Sequence, residues 1–117
     1  MSLVLEKLRQ FWFSELDEKG LDIPLTGVNQ LNVFGEAPIH IAAWKGQPRD
    51  LKWLLENGAQ VNQKGEFGMT PLHYAYMGGK RENVQFLLSV GADPGMRCDA
   101  GLLPDQGLAQ MTNSKLA

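Results

Sequence analysis

EAPIHIAAWKG, Glu36 to Gly46, and MTPLHYAYMGG, Met69 to Gly79, decide how this chain folds. In each, a proline stands two positions before a histidine and an alanine two positions after it. A histidine beside a proline admits three readings: a catalytic group, a metal ligand or a structural bracket. Recurrence narrows them. Pro38 and Pro71 are 33 residues apart, as are His40 and His73, Gly35 and Gly68, Ala42 and Ala75, and Gly46 and Gly79. Leu54 and Leu87, Leu55 and Leu88, Gly58 and Gly91, and Ala59 and Ala92 keep the same interval. So many pairs in one register mark a stacked repeat array, in which each unit buries its apolar face only against its neighbours.

The chemistry inside each unit is that of a helix pair. Thr70 suits the cap of a helix opened by Pro71, whose missing N–H costs nothing in the first turn. Gly46 and Gly79 then fall where a left-handed residue ends the short helix. Second helices are expected over Pro48 to Asn57 and Arg81 to Val90, with apolar stripes at Leu51, Leu54, Leu55 and at Val84, Leu87, Leu88. Trp53 and Phe86 on these helices are core candidates. Gly58 and Gly91 close the helices in the same manner, and the glycine-containing segments QKGEF and GMRCDAG connect the units.

Both ends depart from the register. Leu5, Leu8, Trp12 and Leu16 recur at three- and four-residue steps, which predicts one amphipathic helix over Leu3 to Lys19. Ser2 would cap that helix and Gly20 would stop it. GVNQ, Gly27 to Gln30, stands 33 residues before QVNQ, Gln60 to Gln63, so residues 1–31 read as a divergent first unit acting as a cap. Residues 32–64 and 65–97 are full units. Residues 98–117 form a truncated third: Gly101, Pro104 and Ala109 keep the register, Asp105-Gln106 replaces Leu-His, and MTNSKLA is expected to fray.

Composition bounds the function. The 117 residues suffice for one small domain. A net charge of −2, from 11 basic and 13 acidic side chains, creates no strong field for nucleic acid or an anionic membrane. Cys98 alone excludes an internal disulfide and suits a reducing compartment. No apolar run is long enough to span a bilayer, and Glu6, Lys7 and Arg9 interrupt the N-terminal apolar residues, against a signal peptide. A cytoplasmic protein is expected.

The two runs, continued by LLENGAQVN in the first unit and FLLSVGADP in the second, resemble the ankyrin repeat family. The resemblance covers two complete units and a truncated third, about Asn32 to Ala109. It implies an all-α solenoid of stacked helix–turn–helix units with hairpin-like loops, here with a long N-terminal capping helix, used to bind other proteins. It also implies that the repeated histidine is structural, its ring tying the start of a unit to neighbouring backbone. Some positions depart from the family pattern. Ala37 stands where threonine is favoured and lacks a hydroxyl cap. Tyr76 replaces a small alanine, which needs a void or a splayed helix, and Pro94-Gly95 replaces Val-Asn.

Enzyme chemistry has little support. A Walker loop ending in Gly79-Lys80 needs glycine at Tyr74 and Ser or Thr at Arg81. Neither H-E-x-x-H nor C-x-x-C occurs, Cys98 has no histidine near it in sequence, Asp17 and Glu18 diverge on a helix, and Asp93 reads as a turn residue. No catalytic residue, metal or cofactor is expected. Binding has positive signals. In such stacks partners meet the loop tips and the exposed positions of the inner helices. This places Phe34, Phe67, Met69 and Glu36 at the tips, with Trp44, Lys45 and Met77 on the inner helices, Trp44 largely exposed. The alternative is that the aromatics only fill gaps against the adjacent unit. Starting at Met1 with its cap, the chain is expected to be a free-standing binder, monomeric when free, of one partner protein and of no nucleic acid or membrane. An inhibitor or immunity-type role fits that description. An adaptor or effector contacting a regulatory partner, or a homo-oligomeric scaffold, are the alternatives.

Overall fold

The computed structural model describes residues 3–106. Five α-helices run along it: α1 (Leu3–Leu8), α2 (Pro38–Lys45), α3 (Pro48–Glu56), α4 (Pro71–Met77) and α5 (Arg81–Ser89). The helices form two pairs, α2 with α3 and α4 with α5, and α2 packs on α4 while α3 packs on α5. Ile39, Ile41, Leu51, Leu54, Leu72 and Leu87 are buried between the pairs. Their recurrence at helical spacing is what commits these short, individually unstable helices to the stack.

The same hairpin tip is built three times, before α2, between the two pairs and after α5. Asn32 N–H donates to Glu36 O (2.9 Å), Gly65 N–H to Met69 O (2.7 Å) and Cys98 N–H to Leu102 O (3.0 Å). Each tip needs a positive φ at its fourth residue, and Gly35, Gly68 and Gly101 supply it at +78°, +69° and +79°. The recurrent asparagine of the VNQ runs bonds one unit to the next: Asn29 Nδ2 donates to Gly58 O (3.1 Å) and Asn62 Nδ2 to Gly91 O (3.3 Å). Gly58 and Gly91 are left-handed, at φ +105° and +102°, as expected of residues that end α3 and α5. Gly79 is left-handed too, but Gly46 is not, having φ −97°. Glycine is required there for space, because an added Cβ would stand 2.8 Å from both Ala42 O and Asp50 Oδ2.

The N-terminal segment corrects the expectation of a helix reaching Lys19. Helix α1 ends at Leu8, a 3-10 turn spans Arg9–Phe11, and the chain becomes extended at Trp12. Leu5, Leu8 and Trp12 are buried as their spacing predicts, whereas Leu16 is exposed. Backbone pairing has overridden periodicity. Val33 N–H donates to Phe13 O (3.0 Å) and Ile23 N–H to Glu15 O (2.8 Å). Asp17 Oδ1 accepts from Lys19 N (2.8 Å) and Leu21 N (2.9 Å), closing a turn that Gly20 completes at φ +80°. Gly20 is therefore the pivot of a hairpin. The expected cap at Ser2 lies outside the described residues. Helix α1 packs on α2 and α3, and Lys7 Nζ reaches Asp50 Oδ2 at 2.7 Å.

The C-terminal unit opens with a helical turn at Pro104, and Gln106 stands in the register of His40 and His73. Its amide oxygen accepts from Leu103 N–H at 3.0 Å, the bond that the histidines make in their own units. Ala109 and the terminal residues expected to fray lie outside the described residues. Ala43 is buried where Asn83 reaches its carbonyl (3.0 Å). Tyr76, its counterpart one unit on, is half-buried and lines an open depression of about 390 Å³ bordered by Lys80 and Val84.

Candidate partner-binding groove

The repeated histidines resolve first. His40 Nδ1 accepts from Ala37 N–H at 2.9 Å, and its Nε2 lies 2.8 Å from Gln63 O. His73 repeats the arrangement, with Thr70 N–H 3.0 Å from Nδ1 and Leu102 O 3.0 Å from Nε2. An acceptor Nδ1 and a carbonyl beside Nε2 place the proton on Nε2 and make both rings neutral. Burial pushes both histidines below their ordinary pKa, against the opposing pull of their backbone partners. Both nitrogens of each ring are committed to backbone, so no lone pair remains for a metal or a substrate. These are brackets, and Ala37 without a hydroxyl keeps its N–H satisfied through the His40 ring.

The residues singled out in the sequence fall on three levels. At the surface, Phe34 is 45% and Phe67 67% exposed. Phe67 is held at φ 57°, ψ 25°, a left-handed conformation that costs a non-glycine residue free energy. Trp44, Met69 and Met77 are half-buried and line a recess with Phe34. Trp44 is thus less open than its position suggested, because α4 ends against it and Gly78 leaves no room for a Cβ beside the Trp44 carbonyl. Lys45 is exposed at the rim, its ammonium 4.4 Å from the Trp44 ring centroid and 5.9 Å from that of Phe11.

Glu36 lies deeper than a tip residue. It is 5% exposed, its Oε1 accepting from Asn32 Nδ2 (2.8 Å) and its Oε2 from Tyr74 OH (2.6 Å). Charge-assisted bonds of this kind make burial of a carboxylate tolerable. Burial, and then the Glu36 carboxylate, raise the Tyr74 phenol far above its ordinary pKa, so it stays a donor. Glu36 therefore ties two units together under the groove.

Two adjoining depressions make up this face. One, of about 180 Å³, is lined by Phe13, Phe34, Trp44, Glu66, Met69 and Met77, with Glu36 and Tyr74 beneath. The other, of about 380 Å³, is lined by Phe67, Cys98, Ala100 and Leu102 and shares Met69 and Met77 with the first. Phe13 was not singled out in the sequence, where it belonged to the expected helix. Its hairpin brings it to Phe34 in an edge-on contact with centroids 5.1 Å apart. Trp53 and Phe86, expected in the core, are half-buried on the outer helices.

A family model described as ankyrin repeats (3 copies) matches residues 14–98. The chain belongs to the ankyrin repeat family. No curated protein matches it. Ankyrin repeats generally mediate protein–protein interaction and are typically non-catalytic modules. No helix among the described residues is long and apolar enough to cross a membrane.

Proposed function

We propose that this protein binds a partner protein in the groove between the hairpin tips and the inner helices, with Trp44 at its centre and Phe13, Phe34, Phe67, Met69 and Met77 around it. The observation that carries the reading is the pair of adjoining depressions of about 180 and 380 Å³ that share Met69 and Met77. Contiguous exposed apolar surface is unusual on a monomer, and aromatic anchors ringed by lesser contacts are where binding energy concentrates. Met adapts to irregular partners, which suits its place between the depressions. Lys45 stands at the rim and Glu36 beneath the floor, so Lys45 acts on association rate and Glu36 on shape. The helix pairs stack as a short solenoid, and the protein acts as a monomeric, non-catalytic binder that blocks its partner, in the manner of an inhibitor or immunity-type protein.

Purification of complexes from native lysate with the parent and with Trp44→Ala tests this reading. One protein is expected to be retained in equimolar amount by the parent. Its affinity should fall by about 2 kcal/mol or more with Trp44→Ala, roughly thirty-fold in dissociation constant. Equal retention by both would remove the groove from consideration. Self-association at a concentration-dependent elution volume, with no second protein, would favour a scaffold instead.

A further inference from the structure

We propose that the smaller depression seats a basic side chain of the bound partner, lysine or arginine, while an apolar side chain two residues away in the same extended segment fills the larger one. This rests on the groove being the partner site and names the chemistry that the site selects.

The smaller depression, about 180 Å³, is below the roughly 300–1,000 Å³ of small-molecule pockets and matches a single side chain. Its walls are the rings of Phe13, Phe34 and Trp44 with the thioethers of Met69 and Met77, and two carboxylates, Glu36 and Glu66, border it. Desolvation, and secondarily the charge of Glu36, raise the Glu66 carboxyl above its ordinary pKa. The partners of Glu36 are the neutral donors Asn32 and Tyr74, which orient the carboxylate without cancelling its charge. Among the described residues the one ion pair joins Lys7 to Asp50, outside the groove. Lys45, the cation beside Trp44, lies over ring faces. An aromatic recess bordered by two carboxylates, with Lys45 at its rim engaged with ring faces and paired with neither of them, is complementary to a side chain with an apolar stem and a cationic head. The stem lies along the rings and methionines while the head meets the carboxylates and ring faces. An acidic side chain there adds like charge, and a neutral one leaves the Glu66 carboxylate without an ion partner.

The larger depression has a different character. Phe67, Ala100, Leu102 and Cys98 line it, and His73 contributes a ring whose nitrogens are already bonded to Thr70 and Leu102. Nothing ionised borders it, so it takes an apolar group. In an extended segment the side chains at i and i+2 project from the same face, about 6.6 Å apart. Depressions that share the Met69 and Met77 walls adjoin one another, as same-face neighbours in such a segment do.

Random hexapeptides displayed on phage and selected on the intact protein read this directly. Enriched peptides are expected to carry Lys or Arg two positions from Leu, Ile, Met or Phe. They should bind Glu66→Gln at least ten-fold more weakly at an unchanged melting temperature, and weaken as salt is raised. Peptides that lose binding with Trp44→Ala but lack a basic residue, or bind Glu66→Gln as tightly as the parent, overturn this inference and leave the groove as the partner site. Peptides indifferent to Trp44→Ala overturn the groove reading itself. A selection that enriches nothing also counts against the inference.

Discussion

Replacing His40 by alanine removes the group on which the start of the first full unit depends. The ring is fully buried and satisfies two backbone groups, Ala37 N–H at 2.9 Å and Gln63 O at 2.8 Å. Each buried group left without a partner costs about 1–3 kcal/mol. The site cannot collapse freely either, because Gly65 backbone lies so close that an added Cβ would stand 2.9 Å from the ring. The expected loss is about 3–5 kcal/mol for the two groups and the residual cavity, a large fraction of the roughly 5–15 kcal/mol typical of a folded domain. The C-terminal unit indicates how to rescue it. Gln106 accepts from Leu103 N–H with its amide oxygen, so His40→Gln should preserve the Ala37 bond and lose about half as much. Urea unfolding followed by circular dichroism gives all three stabilities. A loss within about 0.5 kcal/mol for His40→Ala, or a glutamine variant no more stable than the alanine variant, would refute the bracket mechanism.

Two further outcomes follow from the same geometry. Because burial holds His40 and His73 below the ordinary value near 6.5, the unfolded chain takes up protons first as pH falls. Their contribution is complete above about pH 6.5 and is lost as pH falls from there through the lowered native values; urea midpoints at pH 8, 6.5 and 5 should decline, and His40→Gln/His73→Gln should flatten that decline. Deleting residues 1–20 strips Leu5, Leu8 and Trp12 from the core and takes Lys7 from Asp50, so an aggregating or non-cooperative chain is expected, and a soluble product with a sharp calorimetric transition would show the segment to be an appendage.

The repeat was legible because its signals are local. Proline, histidine and glycine at fixed offsets act on backbone a few residues away, and Leu51, Leu54 and Leu87 need only a neighbouring copy of themselves, whereas Leu88, expected in the same stripe, is exposed. The N-terminal segment was legible in its buried side chains and not in its backbone. Leu5, Leu8 and Trp12 hold the stripe their spacing predicts, yet past Trp12 the chain exchanges hydrogen bonds with Ile23 and Val33, partners that helical periodicity does not reveal. Phe13 entered the groove by that same route. Glu36 was misplaced for a related reason: its burial depends on Tyr74 OH, 38 positions along the chain. A tyrosine in the middle of a short inner helix, where the preceding unit carries Ile41, was the available signal for a buried acceptor.

The three tryptophans report on three parts of the molecule, which makes their indole N–H resonances the most direct test of where a partner binds. Trp12 is in the core at 9% exposure, Trp53 is half-buried on α3 of the outer row, and Trp44 lines the groove. With nitrogen-15-labelled protein titrated with the co-purified partner, the Trp44 resonance should shift or broaden while those of Trp12 and Trp53 stay in place. Movement of Trp53 with Trp44 unchanged would put the partner on the outer helices and contradict the account.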